Sequence, residues 1–143
     1  MGVMTGVADV QRFVAAWFTA LDRHVPYAEL REHVAEDPIH FAFPEETVTS
    51  HDGLAAWYDK VTCCFFDEQH RVELTEVSLA GDIARVHVVV NWVTRVWCAP
   101  DATSSRLEYM SDQDWAIELG DRPRLRSYVV NTLAPQGDTP ELC

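Results

Sequence analysis

Lysine is the scarcest charged residue of this chain. Lys60 stands alone beside ten arginines, and against 23 acidic residues these leave a formal net charge of −12. So negative a surface repels polyanions, which excludes nucleic acid and anionic membranes as partners. No apolar run approaches the ~20 residues of a membrane span, so no insertion into a bilayer is expected. The first residues, MGVMTGVADV, carry no basic side chain before Arg12 and do not read as a secretory signal, which makes a cytoplasmic location the expectation. Cysteine is sparse. Cys63 and Cys64 are adjacent and cannot easily bridge each other, while Cys98 and Cys143 stand far apart and no CxxC pair is present. All four are expected to be reduced thiols, the first two partly buried on a helix, and no metal site is expected. A glycine-rich loop, a GxSxG elbow and a phosphate-binding segment are all missing, so no cofactor is implied.

What the chain has is a long β-forming run. Ile83 to Trp97 (IARVHVVVNWVTRVW) is rich in Val, Trp and Thr, with no Gly or Pro. Laid flat it would extend roughly 50 Å, about twice an ordinary strand. In a domain of 143 residues it must coil, with a bulge, around something. Ahead of it, Val10, Phe13, Val14, Trp17, Phe18 and Leu21 fall at helical spacing within Val7–His24. Pro26 opens a shorter helix reaching about Val34. Ile39–Phe43 alternates as a strand, and Thr47–Thr49 returns after the turn at Pro44. Ser50 caps a third helix that carries Leu54, Trp57, Tyr58 and Val61 and ends near Phe65-Phe66. Strands follow at His70–Leu79, at the long run, at Arg106–Leu119 and at Leu125–Leu133. The expected architecture is α+β, one domain with a core of about 7–133: three N-terminal helices inside a curved, cone-shaped antiparallel sheet, and a loose tail over 134–143.

That order, together with VQRFVAAWFTALD, HVAEDPIHFAFP, TSHDGLAAWY and the closing meander with RLRSYVV, resembles the nuclear-transport-factor-2-like (NTF2-like) superfamily, the cystatin-like α+β roll that includes ketosteroid isomerases and SnoaL-like polyketide cyclases. The resemblance covers about Val7 to Leu133. It implies a pocket between sheet and helices, a homodimer through the outer sheet face, and a role in secondary metabolism. The isomerases of the family use a tyrosine on the first helix, a carboxylate on the first strand and a protonated acid on the third long strand. By spacing these positions fall on Trp17, on Ala42 or Phe43, and on Trp115 (Asp114 if the register slips by one). At most one of three is kept, so steroid-type isomerisation by that machinery is not expected.

Other residues must then carry any chemistry. His40 lies on the face opposite Ile39, Phe41 and Phe43. If that face is the pocket wall, its imidazole can move protons near neutral pH; otherwise it is an exposed surface histidine. Asp67 and His70 form an Asp-x-x-His pair in which the carboxylate could orient the ring, or they simply cap a turn and start a strand. His40, His51, Asp67 and His70 have no recognised metal-ligand spacing. His87 and Asn91 are assigned to the outer face, opposite Val86, Val88, Val90 and Trp92. Tyr109, Ser111, Gln113 and Trp115 share one face of the next strand and suit a ligand pocket. Tyr128 is a donor or a core tyrosine. Trp17, Phe43, Trp57, Tyr58, Trp92 and Trp115 are expected as walls for a flat, small, apolar or aromatic molecule. Two functions are compatible with this set. One is a cofactor-independent acid–base enzyme (cyclase, isomerase, dehydratase or epoxide hydrolase) with His40, Asp67, His70, Tyr109 and Tyr128 catalytic. The other is a non-catalytic binding or dimerisation module.

Overall fold

The computed structural model describes residues 6–140; the expectations for Met1–Thr5 and Cys143 lie outside the described residues. Helix α1 spans Val7–Asp22, and all six apolar residues at helical spacing are buried in it. Asp9 accepts the Gly6 N–H at 3.1 Å, satisfying one of the donors that every helix start leaves free. The one-turn helix α2 (Tyr27–Leu30) follows Pro26 and runs into a 3₁₀ turn over Arg31–His33. Strands β1 (His40–Ala42) and β2 (Thr47–Val48) form a short hairpin. Helix α3 (His51–Cys64) is capped by the Ser50 hydroxyl, which accepts the Gly53 N–H at 3.2 Å. Four long strands complete the chain: β3 (Phe65–Ala80), β4 (Ile83–Val96), β5 (Ser105–Glu118) and β6 (Arg124–Pro135).

The fold is α+β, as expected, with a six-stranded, curved, unclosed sheet in the order β2-β1-β6-β5-β4-β3. The sheet is mixed, not purely antiparallel, because β1 runs parallel to β6 with Phe41 opposite Tyr128. The bulge expected in the long run is absent from it, and bulges occur in β3 and β6 instead. β4 pairs with β5 from Ile83↔Glu118 to Val96↔Ser105 without a break. In β3, Asp67 and Glu68 share the single partner Thr94 and Glu73 is extra; in β6, Arg126 and Asn131 are extra. An extra residue on one strand lengthens it against its partner, so the pair bends and twists more strongly. Faults on both sides of the unbroken β4–β5 ladder curl the sheet over the helices.

β3 begins five residues before the expected His70, directly at the end of α3. β6 continues through Pro135, and beyond it the Thr139 hydroxyl donates to the Glu108 carbonyl at 3.0 Å, so the tail is held further than expected. The core is aromatic: Trp17, Phe18, Phe41, Trp115 and Tyr128 pack between α1 and the concave face, with Trp17 at the centre against Phe41, Trp115 and Tyr128. Each such side chain contributes about 1.5–3 kcal/mol by leaving water. Cys63 and Cys64 are exposed, not partly buried, and Cys98 is disulfide-bonded, which corrects the expectation of a free thiol there. Among the described residues no helix is long and apolar enough to cross a membrane, and no cluster suited to a metal ion occurs.

Candidate functional site

The concave side of the sheet does not fill completely. A cavity of about 120 Å³ remains between α3, the β1–β2 turn and the inner faces of β3 to β6. Since roughly 150 Å³ suffices for benzene in an apolar protein interior, this space takes about one ring, and any second ring extends through the mouth. Phe43, Trp57, Tyr58, Trp92 and Tyr128 line it. Phe43 and Trp57 stack face to face at 3.9 Å and 3°, and the Trp57 indole donates to Glu45 at 3.0 Å. The exposed lining residues Pro44 and Glu45 mark the mouth. None of the described lining residues is lysine or arginine.

His70 is the basic group inside. Its position follows from the β3–β4 register, which sets it opposite Trp92 on the inner face. Asp22, the last residue of α1, accepts both the His70 backbone N–H at 3.0 Å and the ring Nδ1–H at 2.5 Å. The carboxylate thereby fixes the tautomer, leaving Nε2 as the lone-pair nitrogen of a ring that lines the cavity. The ring is clamped between Phe18 (4.9 Å, 22°) and Trp92 (5.9 Å, 10°), and its side chain is only 10 % exposed.

A polar strip faces it from β5. The Trp115 indole donates to Gln113 Oε1 at 2.9 Å, and Gln113 Nε2 donates to Ser111 Oγ at 2.9 Å. Tyr128, at the inner end, is fully enclosed. Burial pushes its hydroxyl well above the usual tyrosine pKa, only partly offset by Gln113 and Trp17, so it stays protonated. The Trp17 indole nitrogen points into this same region without closing a hydrogen bond of normal geometry. Tyr58 is pushed up to about 12, chiefly by burial and then by the negative charges of Glu68 and Glu29; its hydroxyl donates to the Val25 carbonyl at 2.6 Å.

Several expected site residues lie elsewhere. His40 is exposed: the parallel pairing with β6 turns Phe41 and Tyr128 inward together, and alternation then sends His40 out with Ser127. Asp67 is also exposed, at the bulge, and Asp22 takes the place assigned to it beside His70. Tyr109 is buried but packs on Trp92 in a separate cluster with Val96 and Leu107. Trp17 and Trp115 are core behind the cavity and not its lining. Asp114 is exposed, so the slipped register does not supply a cavity acid. His87 lies on the outer face between Asp112 (2.9 Å) and Glu76 (3.1 Å), and Asn91 donates to Glu108 at 2.9 Å.

Two groups escaped the sequence. Asp22 and Glu68 both reach the site from positions whose partners are 48 and 24 residues away. A local signal existed for Asp22: a carboxylate in the last turn of a helix opposes the macrodipole and calls for a reason.

A solved NTF2-like-family protein from Streptomyces avermitilis, provisionally assigned as a dehydratase, superposes with a TM-score of 0.76 over 91% of this chain and 95% of its own at 16% identity. The fold is NTF2-like. A nuclear transport factor 2 (NTF2-like) superfamily protein from Salmonella enterica matches at TM-score 0.68 and 13% identity, covering 92% and 93% of the two chains. The beta subunit of benzoate 1,2-dioxygenase from Burkholderia mallei matches at 0.69 and 20%, over 93% and 92%. No family model and no curated protein matches the chain. At these identities the NTF2-like likeness describes the backbone alone, and the chemistry has to be argued from the side chains.

Proposed function

We propose that this protein is a cofactor-independent acid–base enzyme acting on a small, neutral, ring-containing molecule, by dehydration or isomerisation. The observation that carries this is the Asp22–His70 pair turned into an aromatic-walled cavity. An imidazole whose Nδ1–H is held by a carboxylate presents its other nitrogen as a base and is stabilised once it is protonated. Ser111, Gln113 and the protonated Tyr128 supply hydrogen bonds for an oxygen on the same ligand. A lining with acidic side chains and no cationic one disfavours carboxylate or phosphate substrates. The provisional dehydratase assignment of the Streptomyces avermitilis protein points the same way.

The test does not need the natural substrate. 2-Indanone is a neutral fused-ring ketone with acidic C–H bonds, and its uptake of deuterium from D2O is followed by proton NMR. The protein should accelerate uptake above the buffer rate, and His70→Ala should return it to that rate. A His70→Ala variant that exchanges as fast as the wild type refutes the assignment.

A homodimer through the outer sheet face accompanies this reading. There Glu76, Asp112 and Asp114 gather around His87 toward one end, with Arg85 beside them, while Arg71, Arg95 and Arg106 lie toward the other, where Glu73 pairs with Arg71 and Glu108 with Arg106. A two-fold axis through the middle sets acid over base in both directions. A non-catalytic binding or dimerisation module on the same fold is the second reading; the Burkholderia mallei neighbour is itself one subunit of a larger enzyme.

A further inference from the structure

Beside the cavity lies a surface cleft lined by Arg23, His24, Asp67 and Gln69 among others, and of the residues lining the two, Glu68 alone belongs to both. Glu68 owes this place to a fault in the β3 ladder. Asp67 adopts a left-handed backbone (φ 51°), and the Thr94 hydroxyl donates to the Phe66 carbonyl at 3.0 Å across the bulge. The extra residue switches which side chains face inward, so Phe65 before it and His70 after it both reach the cavity, with Glu68 beside His70.

The Glu68 side chain is 9 % exposed. One carboxylate oxygen accepts the Trp92 indole N–H at 3.0 Å; the other accepts His24 Nε2–H. Trp92 is the ring stacked on His70, so Glu68 and His70 share one wall. His24 is 28 % exposed and opens on the cleft. Water, imidazole, carboxylate and cavity thus stand in sequence.

An enclosed base needs such a sequence. Asp22 holds one nitrogen of His70, so only Nε2 turns over protons. A proton delivered to the substrate's oxygen must come from a second group, and that group must be reloaded. We propose that Glu68 and His24 form a proton relay between the cavity and solvent, Glu68 exchanging with the ligand and His24 with water. The relay rests on the acid–base reading of the cavity. In the probe reaction His70 Nε2 takes the proton of a C–H bond beside the carbonyl. That bond's electron pair forms the enol C=C, the carbonyl π pair moves to oxygen, and the oxygen takes a proton from Glu68, which receives it from doubly protonated His24; carboxylate and neutral imidazole are left, and His24 is reloaded from water. Reversal, after His70 Nε2 has exchanged its proton for a deuteron from D2O, puts the deuteron on carbon, returns the oxygen's proton to the relay and releases the labelled ketone.

The experiment measures deuterium uptake by 2-indanone in four proteins, with 2-indanone binding followed by tryptophan fluorescence. Glu68→Gln is expected to slow uptake by about tenfold to a hundredfold with binding unchanged. His24→Asn, which tolerates the left-handed backbone of that position (φ 50°), is expected to slow it similarly and to recover when imidazole is added, a rescue that a merely structural histidine would not show. If uptake depends on His70 but both variants keep the wild-type rate, the relay is wrong and the acid–base reading stands. If Glu68→Gln loses binding and His24→Asn is not rescued, the pair is a structural wall and the relay is wrong. If the wild type never exceeds buffer, the acid–base reading falls and takes the relay with it. Should Glu68→Gln fail to fold, His24→Asn and its rescue decide.

Discussion

Asp22 ends α1 where a carboxylate is least favoured, because the helix C-terminus carries partial negative charge. It is held there by two hydrogen bonds to His70, and Asp22→Asn removes the charge while keeping the shape. The amide can present a donor to Nδ1 and so favour the wrong tautomer. Uptake of deuterium by 2-indanone should fall roughly 10²–10⁴-fold with little loss of binding; an unchanged rate would remove Asp22 from the site. On the outer face, the hydrogen bonds that His87 donates to Asp112 and then to Glu76 raise its pKa, while those that Asp112 accepts from Asn131 and His87 lower that of Asp112. A raised histidine stabilises fully below its unfolded value of about 6.5, and that stabilisation fades as pH climbs through the folded value. The depressed Asp112 stabilises above the unfolded carboxylate value and loses this as pH falls through the folded one. His87→Gln should therefore lower Tm more at about pH 5.5 than at about pH 8.5, by a small amount because the group is exposed. Equal shifts at both pH values would contradict it.

Among the elements, β3 places the chemistry. Its first bulge is what lets Phe65 and His70 both face inward although strict alternation would separate them. Deleting Glu73 makes Val72↔Val90 and Leu74↔Val89 successive pairs, so every side chain keeps its face while the bend at the bulge is lost. The deletion should leave a cooperative urea transition but weaken 2-indanone binding, because a straighter β3 shifts the wall that carries His70. Glu73→Ala keeps the residue count and should shift stability by no more than about 0.5 kcal/mol. If the deletion binds normally, the bend at Glu73 does not shape the cavity. The start of α3 is a simpler case: Ser50→Ala leaves the Gly53 N–H without its acceptor and should cost about 1 kcal/mol by urea denaturation. These elements also explain the sequence misjudgements. Regular alternation reveals β4 and β5, whose ladder is unbroken, whereas the bulged start of β3 hides Phe65–Gln69 from a strand that the sequence starts only at His70.

For the whole molecule, the relevant quantity is how charge is spread over the convex face. With −12 net, two copies repel overall, so association needs the local match of Arg71, Arg95 and Arg106 with Glu76, Asp112 and Asp114. Light scattering should find a dimer at low salt that weakens as ionic strength rises. Arg71→Glu with Arg106→Glu should give a monomer, and adding Glu76→Arg with Asp114→Arg should restore pairing. A dimer indifferent to the first pair places the interface elsewhere.

Composition and periodicity alone determined that this chain builds α1, the long strands and an aromatic interior, because burial imposes a period of 3.6 on a helix and of 2 on a strand and leaves it legible in Val10–Leu21 and in Val86–Trp92. They also singled out His70. Only the tertiary structure decided which carboxylate serves it and which aromatics line the cavity and not the core. It also turned His40 outward and Glu68 inward. Those choices depend on strand pairing and on extra residues in β3 and β6, and pairing joins positions dozens of residues apart through hydrogen bonds that every backbone offers alike.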